Sequence, residues 1–285
     1  MSAVSSVRQE PKVAVVTIAH GRHDHLAHQQ RALAVCDGPP PDRVVVAMGD
    51  PELHDWRPEA GPAPAVVPIE VPDEGLPLAA ARNAGARTAL ARGADVLVFL
   101  DVDCVPAPGL VAAYTAAVVE SPYVVWSGPV TYLPPGADVS DPTQLAALDD
   151  PHPARPAPAP GERQRGAEPD LFWSLSFALG RSAWERTGGF WSEYVGYGGE
   201  DTDFARVVRE VGLELGWDGS ARAYHQHHPT QSPPVQHLDA ILRNGAVFAA
   251  RWGEWPMRGW LEEFERAGLV CRRGDQWERC ATSAG

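Results

Sequence analysis

Short apolar runs separated by polar segments of helical length dominate the first hundred residues. β-branched runs at residues 12–18 and 43–48 enclose one such polar segment, which is the pattern of a βαβ unit. Residues 65–69 predict a third strand, and residues 78–91 an Ala- and Arg-rich helix. Residues 96–100 are continuously apolar, as expected of a strand buried on both faces of a sheet. The pattern therefore predicts an α/β protein with a mostly parallel sheet.

The alternation of apolar runs with polar segments of helical length becomes less regular in the middle of the chain. Residues 108–119 predict a helix and residues 123–126 a strand. From residue 134 to residue 169 the composition is dominated by Pro, Ala, Gly and Asp, with a low-complexity core at residues 151–160. Because proline breaks regular elements, we predict a flexible Pro-rich loop without helix or strand over residues 134–169.

Regular periodicity returns after this loop. Residues 172–179 predict a strand. Phe204, Val207, Val208 and Val211 then fall at i, i+3, i+4 and i+7, which predicts an amphipathic helix ended by Gly212. Beyond residue 230 apolar residues recur at helical spacing. We expect a main domain over residues 1–230 and a C-terminal helical segment over residues 231–285 that packs against it.

The composition narrows the classes of function. The chain has 285 residues, 44% of them hydrophobic, and a formal net charge of −13. The acidic balance argues against nucleic acid as a partner and against docking on an anionic membrane by general electrostatics, although a local peripheral membrane contact stays open. No apolar stretch reaches the length of a membrane span and residues 1–11 lack a signal-peptide core, so we expect a cytoplasmic protein. The cysteines have no zinc-type spacing and are interpreted as reduced thiols: Cys36, Cys104, Cys271 and Cys280.

Two acidic clusters carry the candidate chemistry. Asp101 and Asp103 follow the buried strand at residues 96–100, so they emerge at the carboxyl edge of the sheet, where open α/β sheets bind ligands. Period-2 alternation lets both carboxylates approach one site, and hard oxygen ligands suit Mg²⁺ or Mn²⁺. Glu200, Asp201 and Asp203 lie in the first turn of the amphipathic helix. Ordinary strand-end turns and helix-dipole pairing would also explain acids at these places.

The order of these motifs resembles that of a known family. The chain is similar to GT-A glycosyltransferases of the large inverting family 2, and residues 172–203 are similar to the galactosyltransferase C-terminal domain of the β-1,4-galactosyltransferases. The resemblance covers roughly residues 12–230. The residues that carry it are Val15-Val16-Thr17, Asp50, Ala81-Arg82-Asn83-Ala84-Gly85, Asp101-Val102-Asp103, and Arg186-Thr187-Gly188-Gly189-Phe190 leading into Gly198-Gly199-Glu200-Asp201.

This resemblance implies a fold and assigns a different function to each half of the main domain. The fold is a Rossmann-like, mostly parallel nucleotide-binding sheet flanked by helices, with residues 12–130 as the nucleotide-sugar half and residues 170–230 as the catalytic and acceptor half. The implied reaction moves a sugar from a nucleoside-diphosphate sugar, most simply a UDP-sugar, to an acceptor hydroxyl with inversion. The acceptor class stays open between carbohydrate, lipid-linked and small-molecule acceptors.

The resemblance also implies residue roles. The divalent cation, Mn²⁺ or Mg²⁺, is expected on Asp101 and Asp103 together with His225 or His227, which alternation places on one face of an extended segment. Asp201 is expected as the general base, with Glu200 orienting a substrate. The donor is expected at Thr17, Asp50, Arg82, Asn83 and Asp101. The sugar or acceptor platform is expected at Trp191, Tyr194, Tyr197 and Gly199, because aromatic faces stack on sugars.

Some alternatives remain beside this interpretation. A sugar-nucleotide nucleotidyltransferase would share the α/β start, but residues 18–23 lack its glycine-rich phosphate loop. A non-catalytic nucleotide-sugar-binding module would not need both acidic clusters. The loop at residues 134–169 fits a wall of the acceptor site or a plain surface insertion equally well. The histidines near the N-terminus are interpreted as a solvated helix face: His20, His23, His25 and His28.

Overall fold

The computed structural model describes residues 10–280. Residues 1–9 and 281–285 lie outside the described part of the chain. The missing signal-peptide core at the N-terminus therefore stays a prediction, as do the outer ends of the main domain and of the C-terminal segment.

The described strands and helices follow the predicted order over most of the chain. The strands are β1 (Val13–Ala19), β2 (Asp42–Met48), β3 (Ala65–Ile69), β4 (Val96–Leu100), β5 (Cys104–Pro106), β6 (Val124–Ser127), β7 (Val130–Tyr132), β8 (Arg163–Arg165), β9 (Ser176–Gly180), β10 (Glu214–Asp218), β11 (Ala223–His225), β12 (Val270–Arg273) and β13 (Gln276–Arg279). The helices are α1 (His23–Leu33), α2 (Leu78–Ala91), α3 (Leu110–Glu120), α4 (Pro142–Ala147), α5 (Arg181–Thr187), α6 (Glu200–Glu210), α7 (Leu238–Trp252) and α8 (Arg258–Arg266).

One eight-stranded sheet forms the centre of the molecule, in the order β3-β2-β1-β4-β9-β6-β10-β8. The neighbours β3, β2, β1 and β4 are parallel, and so are β6 and β10. β9 runs antiparallel to both β4 and β6, and β8 runs antiparallel to β10. Six strands therefore share one direction, and the predicted α/β class with a mostly parallel sheet is confirmed.

Helices cover both faces of this sheet, as burial of β4 on both faces requires. All five residues of β4 are buried. Leu97 and Phe99 pack with α2, α5 and α6 on one face, while Val98 and Leu100 pack with α3 on the other. α2 is rich in alanine because it lies close to β1: a Cβ on Gly85 would stand 2.3 Å from Val16 Cγ1.

A small second sheet, in the order β5-β11-β7, extends the carboxyl edge of β4. β11 pairs antiparallel with β5, with His225 opposite Cys104, and parallel with β7, with His225 opposite Tyr132. This register brings His225 beside the turn that contains Asp101 and Asp103.

The prediction that residues 134–169 form no regular element is wrong. α4 begins after Asp141, whose carboxylate accepts from the backbone N–H groups of Thr143 and Gln144, while Pro142 occupies the first turn, where its missing N–H costs nothing. β8 is an edge strand, and its Arg163 donates to Asp218 of β10 at 2.7 Å. Proline-rich composition concealed both elements, since each is short and depends on its neighbour or cap.

The C-terminal segment contains the expected helices α7 and α8, and also a hairpin that the helical spacing did not predict. β12 and β13 pair antiparallel, and Cys271 and Cys280 form a disulfide across the hairpin. The interpretation of all four cysteines as reduced thiols is therefore wrong for these two, whose pairing depends on strand register. Cys36 and Cys104 are free, as expected. Between residues 10 and 280, each helix is too short or too polar to cross a membrane.

Candidate active site

Hydrogen bonds from Gln29 of α1 hold the turn that follows β4. Gln29 Nε2 donates to the carbonyl oxygens of Asp101 at 2.7 Å and Cys104 at 3.0 Å, and Cys104 N–H donates to Asp101 O at 2.8 Å. Thr17 Oγ1 donates in turn to Gln29 Oε1 at 2.8 Å. Thr17 is 1% exposed, so the structure corrects its predicted contact with the donor. It supports the turn through Gln29 instead.

Asp103, His225 and His228 form a group with the residue types of a metal site. One ligand atom from each lies within 4.8 Å of the other two, so a single cation between them could contact all three after small side-chain shifts. His227 is exposed and lies outside this group, while His228, which the alternation argument passed over, belongs to it. Asp101 also lies outside it, since its Oδ1 pairs with Arg82 at 3.1 Å.

Asp103 also faces two basic side chains from the start of α1. Arg22 Nη1 lies 2.9 Å from Asp103 Oδ1, and His25 Nδ1 donates to the same oxygen at 2.5 Å. Arg22 has a φ of 53°, a left-handed conformation that is uncommon for a residue with a side chain. Arg22 was not assigned to the site from the sequence, and the interpretation of His25 as part of a solvated helix face is wrong.

The other N-terminal histidines are engaged as well, so their interpretation as a solvated helix face is wrong. His23 Nε2 donates to Asp50 Oδ2 at 2.8 Å, and His28 Nδ1 lies 2.7 Å from Gln226 Oε1. His20 Nδ1 donates to Met48 O at 2.7 Å. Asp50 also accepts from Gly21 N–H at 2.8 Å and lies at the mouth of the predicted nucleoside site, after β2. The signal for this arrangement was present in the position of these residues, directly after the carboxyl end of β1.

His225 is buried and packs against an aromatic ring, and its burial determines its protonation state. Burial lowers the pKa of His225 to about 4, which keeps the imidazole neutral and able to coordinate a metal. The Tyr132 ring stacks on it with a centroid distance of 4.6 Å. Tyr132 in turn meets His152, from the segment at residues 134–169, at 5.4 Å.

Arg82 connects the two acidic clusters. Its guanidinium lies 3.1 Å from Asp101 and 3.4 Å from Glu200, and the side chain is 4% exposed. Burial opposes the charge, but Asp101, Glu200 and Asp201 outweigh this and raise the pKa of Arg82. Arg82 is therefore a charged residue that fixes the strand-end turn relative to the start of α6.

Glu200 and Asp201 begin α6 directly after Gly199, which has a φ of 92°. Burial, followed by repulsion from Asp201, raises the pKa of Glu200 to about 7. Burial also raises the pKa of Asp201, partly offset by Arg82. A helix N-terminus favours the ionised form of a carboxylate, but burial has the larger effect on the pKa of Asp201.

The structure places the remaining predicted contacts in two groups. Asn83 is fully used inside the protein: its amide donates to Phe190 O at 2.8 Å and accepts from Phe190 N–H at 2.9 Å, so its predicted donor contact is corrected to a loop-fixing role. Tyr194 is 1% exposed and donates to Asp203, so it packs beneath the site instead of forming a platform. Trp191 and Tyr197 are 47% and 38% exposed, but Arg251 lies over the Trp191 ring at 4.4 Å and His237 stacks on Tyr197, so only the uncovered part of each ring can contact a ligand.

Known proteins resemble this chain in one segment of sequence and in the overall fold. A family model described as the N-terminal domain of galactosyltransferase matches residues 168–229, which include β9, α6 and both histidines of the metal group. No curated protein matches the chain in sequence. The solved structure of GalNAc-T7 with UDP, GalNAc and Mn2+ has 14% identity and a TM-score of 0.53, covering 86% of this chain and 51% of its own. TarS of S. aureus, residues 1–349, has 13% identity and a TM-score of 0.55, covering 82% of this chain and 64% of its own.

The chain thus spans about half to two-thirds of the length of these two solved structures. The likeness extends across the central sheet, and the family match falls on the second acidic cluster, where the sequence resemblance was expected. The chain therefore contains a glycosyltransferase-like domain of the GT-A fold.

Proposed function

We propose that this protein is a metal-dependent glycosyltransferase of the family 2 type that moves a hexosyl group from a nucleoside-diphosphate sugar, with UDP as the favoured nucleotide, to an acceptor hydroxyl with inversion. A single observation carries the proposal: Asp103, His225 and His228 meet at the carboxyl edge of the sheet, and Arg82 ties this edge to Glu200 and Asp201. In this proposal the cation-binding group and the proton-accepting group are linked through the ion pairs of Arg82 with Asp101 and Glu200.

Binding of the proposed donor depends on the neutralisation of its negatively charged diphosphate. Asp103, His225 and His228 would hold Mn²⁺ or Mg²⁺, which supplies electrostatic neutralisation of the diphosphate as it leaves. Arg22 lies beside Asp103, and the buried Arg82 beside Asp101, so both guanidinium groups would add positive charge near the diphosphate. Asp50 would accept from the nucleoside at the carboxyl end of β2.

The acceptor half concerns proton transfer. Asp201 would take the proton from the attacking hydroxyl, and its raised pKa makes the carboxylate a better proton acceptor. Glu200, buried against Arg82, would orient a sugar hydroxyl. Trp191 and Tyr197 offer exposed aromatic faces for a carbohydrate acceptor, free or lipid-linked.

A donor panel tests the reaction class. The protein is incubated with UDP- and GDP-sugars and simple glycoside acceptors, with Mn²⁺ or with excess EDTA, and the released nucleotide is identified. We expect release of nucleoside diphosphate from at least one donor with Mn²⁺ and loss of that activity in EDTA. Exchange with nucleoside triphosphate would indicate a nucleotidyltransferase, binding without turnover would indicate a binding module, and full activity in EDTA would contradict the role of the metal.

A further inference from the structure

The C-terminal segment (residues 231–280) lies directly against the catalytic loop (residues 195–201), which contains Glu200 and Asp201. Asn244 of α7 is fully buried, and its side-chain amide donates to two loop carbonyls, those of Tyr197 at 3.2 Å and Gly198 at 2.9 Å. Among residues 10–280, the Oδ1 atom of Asn244 has no hydrogen-bond partner. The buried side chain of Asn244 therefore forms hydrogen bonds only through its amide N–H groups, and both of these hydrogen bonds go to the catalytic loop.

Arg243, the preceding residue of α7, adds a second attachment at the start of the loop. Its Nη2 donates to Val195 O at 2.6 Å and to Glu74 O at 3.2 Å. Gly196 N–H donates to Leu76 O at 2.9 Å from the other side. The loop is therefore held between α7 and the chain that leads into α2.

The glycines of the catalytic loop are explained by this contact. A Cβ on Gly198 would lie 2.6 Å from Met257 Sδ, and a Cβ on Gly196 would lie 2.9 Å from Ala240 Cβ. Both residues also have a positive φ, 92° and 78° respectively. At these two positions, the C-terminal segment lies too close to the loop for a residue with a side chain.

The segment also covers part of the ring of Tyr197. His237 stacks on it with centroids 4.5 Å apart and planes 13° apart, and Trp260 lies 5.8 Å away. The position of this exposed tyrosine therefore depends on two side chains from beyond residue 230.

We infer that Asn244 is a positioning residue for the catalytic loop, and that the C-terminal segment is an integral part of the active site. The inference rests on the proposed function for the role of Asp201. A short loop with three glycines has many accessible conformations, and the two hydrogen bonds from Asn244 act on the carbonyls immediately before Gly199, where α6 begins. Without them, Asp201 loses its fixed position, and a displacement near 1 Å can cost about 10²-fold in rate.

Asn244→Leu tests this inference, since leucine has a similar size and no donors. In hydrogen exchange, the amides of Gly196 and Asp203, which donate to Leu76 O and Gly199 O, should exchange at least about tenfold faster than in the wild type. In the transfer assay, kcat should fall by roughly 10- to 100-fold while the affinity for UDP with Mn²⁺ changes less than about twofold. Arg243→Gln, which removes the contact with Val195 O, should accelerate exchange at Gly196 and is the second variant if Asn244→Leu does not fold.

Phe264→Leu is the matched control, because Phe264 is buried within the C-terminal segment and its loss lowers stability there without removing a hydrogen bond to the loop. We expect this variant to retain wild-type exchange at Gly196 and Asp203. Unchanged exchange in Asn244→Leu, or equal acceleration in Phe264→Leu, would overturn the inference. If the wild type transfers no sugar, the proposed function fails, and the exchange experiment alone still decides whether Asn244 positions the loop.

Discussion

Asp103 is the residue on which the charges of the site converge. Arg22 and His25 contact one of its oxygens, and His228 lies 3.7 Å from the other. Arg22 and His25 partly compensate the carboxylate, and a divalent cation that binds Asp103 must compete with them for it. In the proposed metal group, the imidazoles of His225 and His228 should therefore contribute strongly to cation binding.

Alternation in the sequence placed His225 and His227 on one face of an extended segment. Replacing them should have different effects on Mn²⁺ binding. His225→Ala should weaken Mn²⁺ binding by more than about tenfold, since it removes a buried ligand of the proposed group. His227→Ala, the matched control, should bind Mn²⁺ like the wild type because His227 is exposed and outside the group. Calorimetric titration with Mn²⁺ measures both. Equal loss in the two variants would place the cation elsewhere.

Glu200 should make the stability of the metal-free protein depend on pH. The folded-state pKa is raised to about 7, so the native state binds this proton more tightly than the unfolded state does. The contribution to the free energy of unfolding is present at low pH and is lost as the pH rises from about 4.5 through about 7. We expect Glu200→Gln to remove a slope approaching roughly 1.4 kcal/mol per pH unit over this interval.

Urea unfolding of the wild type and Glu200→Gln across that pH range provides the measurement. His225, whose lowered pKa acts with the opposite sign, affects both proteins equally, so the comparison reports the proton bound by Glu200 together with its neighbour Asp201, whose pKa is also raised by burial. A constant difference in unfolding free energy at all pH values would show that Glu200 does not titrate there.

At the scale of elements, the segment at residues 134–169 is attached to the site through residues 149–155. His152 N–H donates to Val130 O at 3.1 Å, and Asp149 pairs with Arg222 at 2.6 Å. Arg155 inserts its guanidinium between Trp173 and Trp217, with ring centroids 5.1 and 4.6 Å from Cζ. Of the two roles that the sequence left open for the segment, this packing favours a wall of the site.

Arg155 gives a direct test of how this wall is held. Burial lowers the pKa of Arg155 to about 10, and within the described residues its Nε and Nη1 atoms have no hydrogen-bond partner. We expect Arg155→Ala to cost about 2–4 kcal/mol in the free energy of unfolding, because it leaves a cavity between two indoles. Arg155→Met fills the space without a buried charge and should cost less than about 1 kcal/mol. An equal cost for both variants would show that the charge, and not the volume, holds the segment.

Elements with a strong internal pattern could be predicted from sequence. The apolar run of β4 and the 3.6-residue period of α6 each encode burial in their own residues, so both acidic clusters were placed correctly on the fold. Other contacts depend on a partner that is distant in sequence. Nothing near Thr17 or Asn83 shows that Gln29 and Phe190 occupy their polar atoms, and nothing near Cys271 shows the register that brings it to Cys280.

At the scale of the whole molecule, the candidate site draws on segments far apart in the chain. The carboxyl ends of β1, β2 and β4 meet because these strands are parallel neighbours, and β11 adds its histidine by pairing with β5. β9 runs antiparallel from the carboxyl edge to the amino edge of the sheet, and residues 181–199 lead the chain back to the carboxyl edge, where α6 starts. The C-terminal segment then closes over the catalytic loop.

The proposed site separates two tasks. Asp103 binds the cation and the donor diphosphate, and Asp201 accepts the proton of the acceptor hydroxyl. Calorimetric titration of UDP with Mn²⁺ into Asp201→Asn and Asp103→Ala, paired with the transfer rate of each variant, tests this most directly. We expect Asp201→Asn to bind like the wild type and to transfer about 10²- to 10⁴-fold more slowly. Asp103→Ala should lose both binding and transfer. Loss of UDP binding in a folded Asp201→Asn variant would contradict the account, since Asp201 would then belong to the donor side.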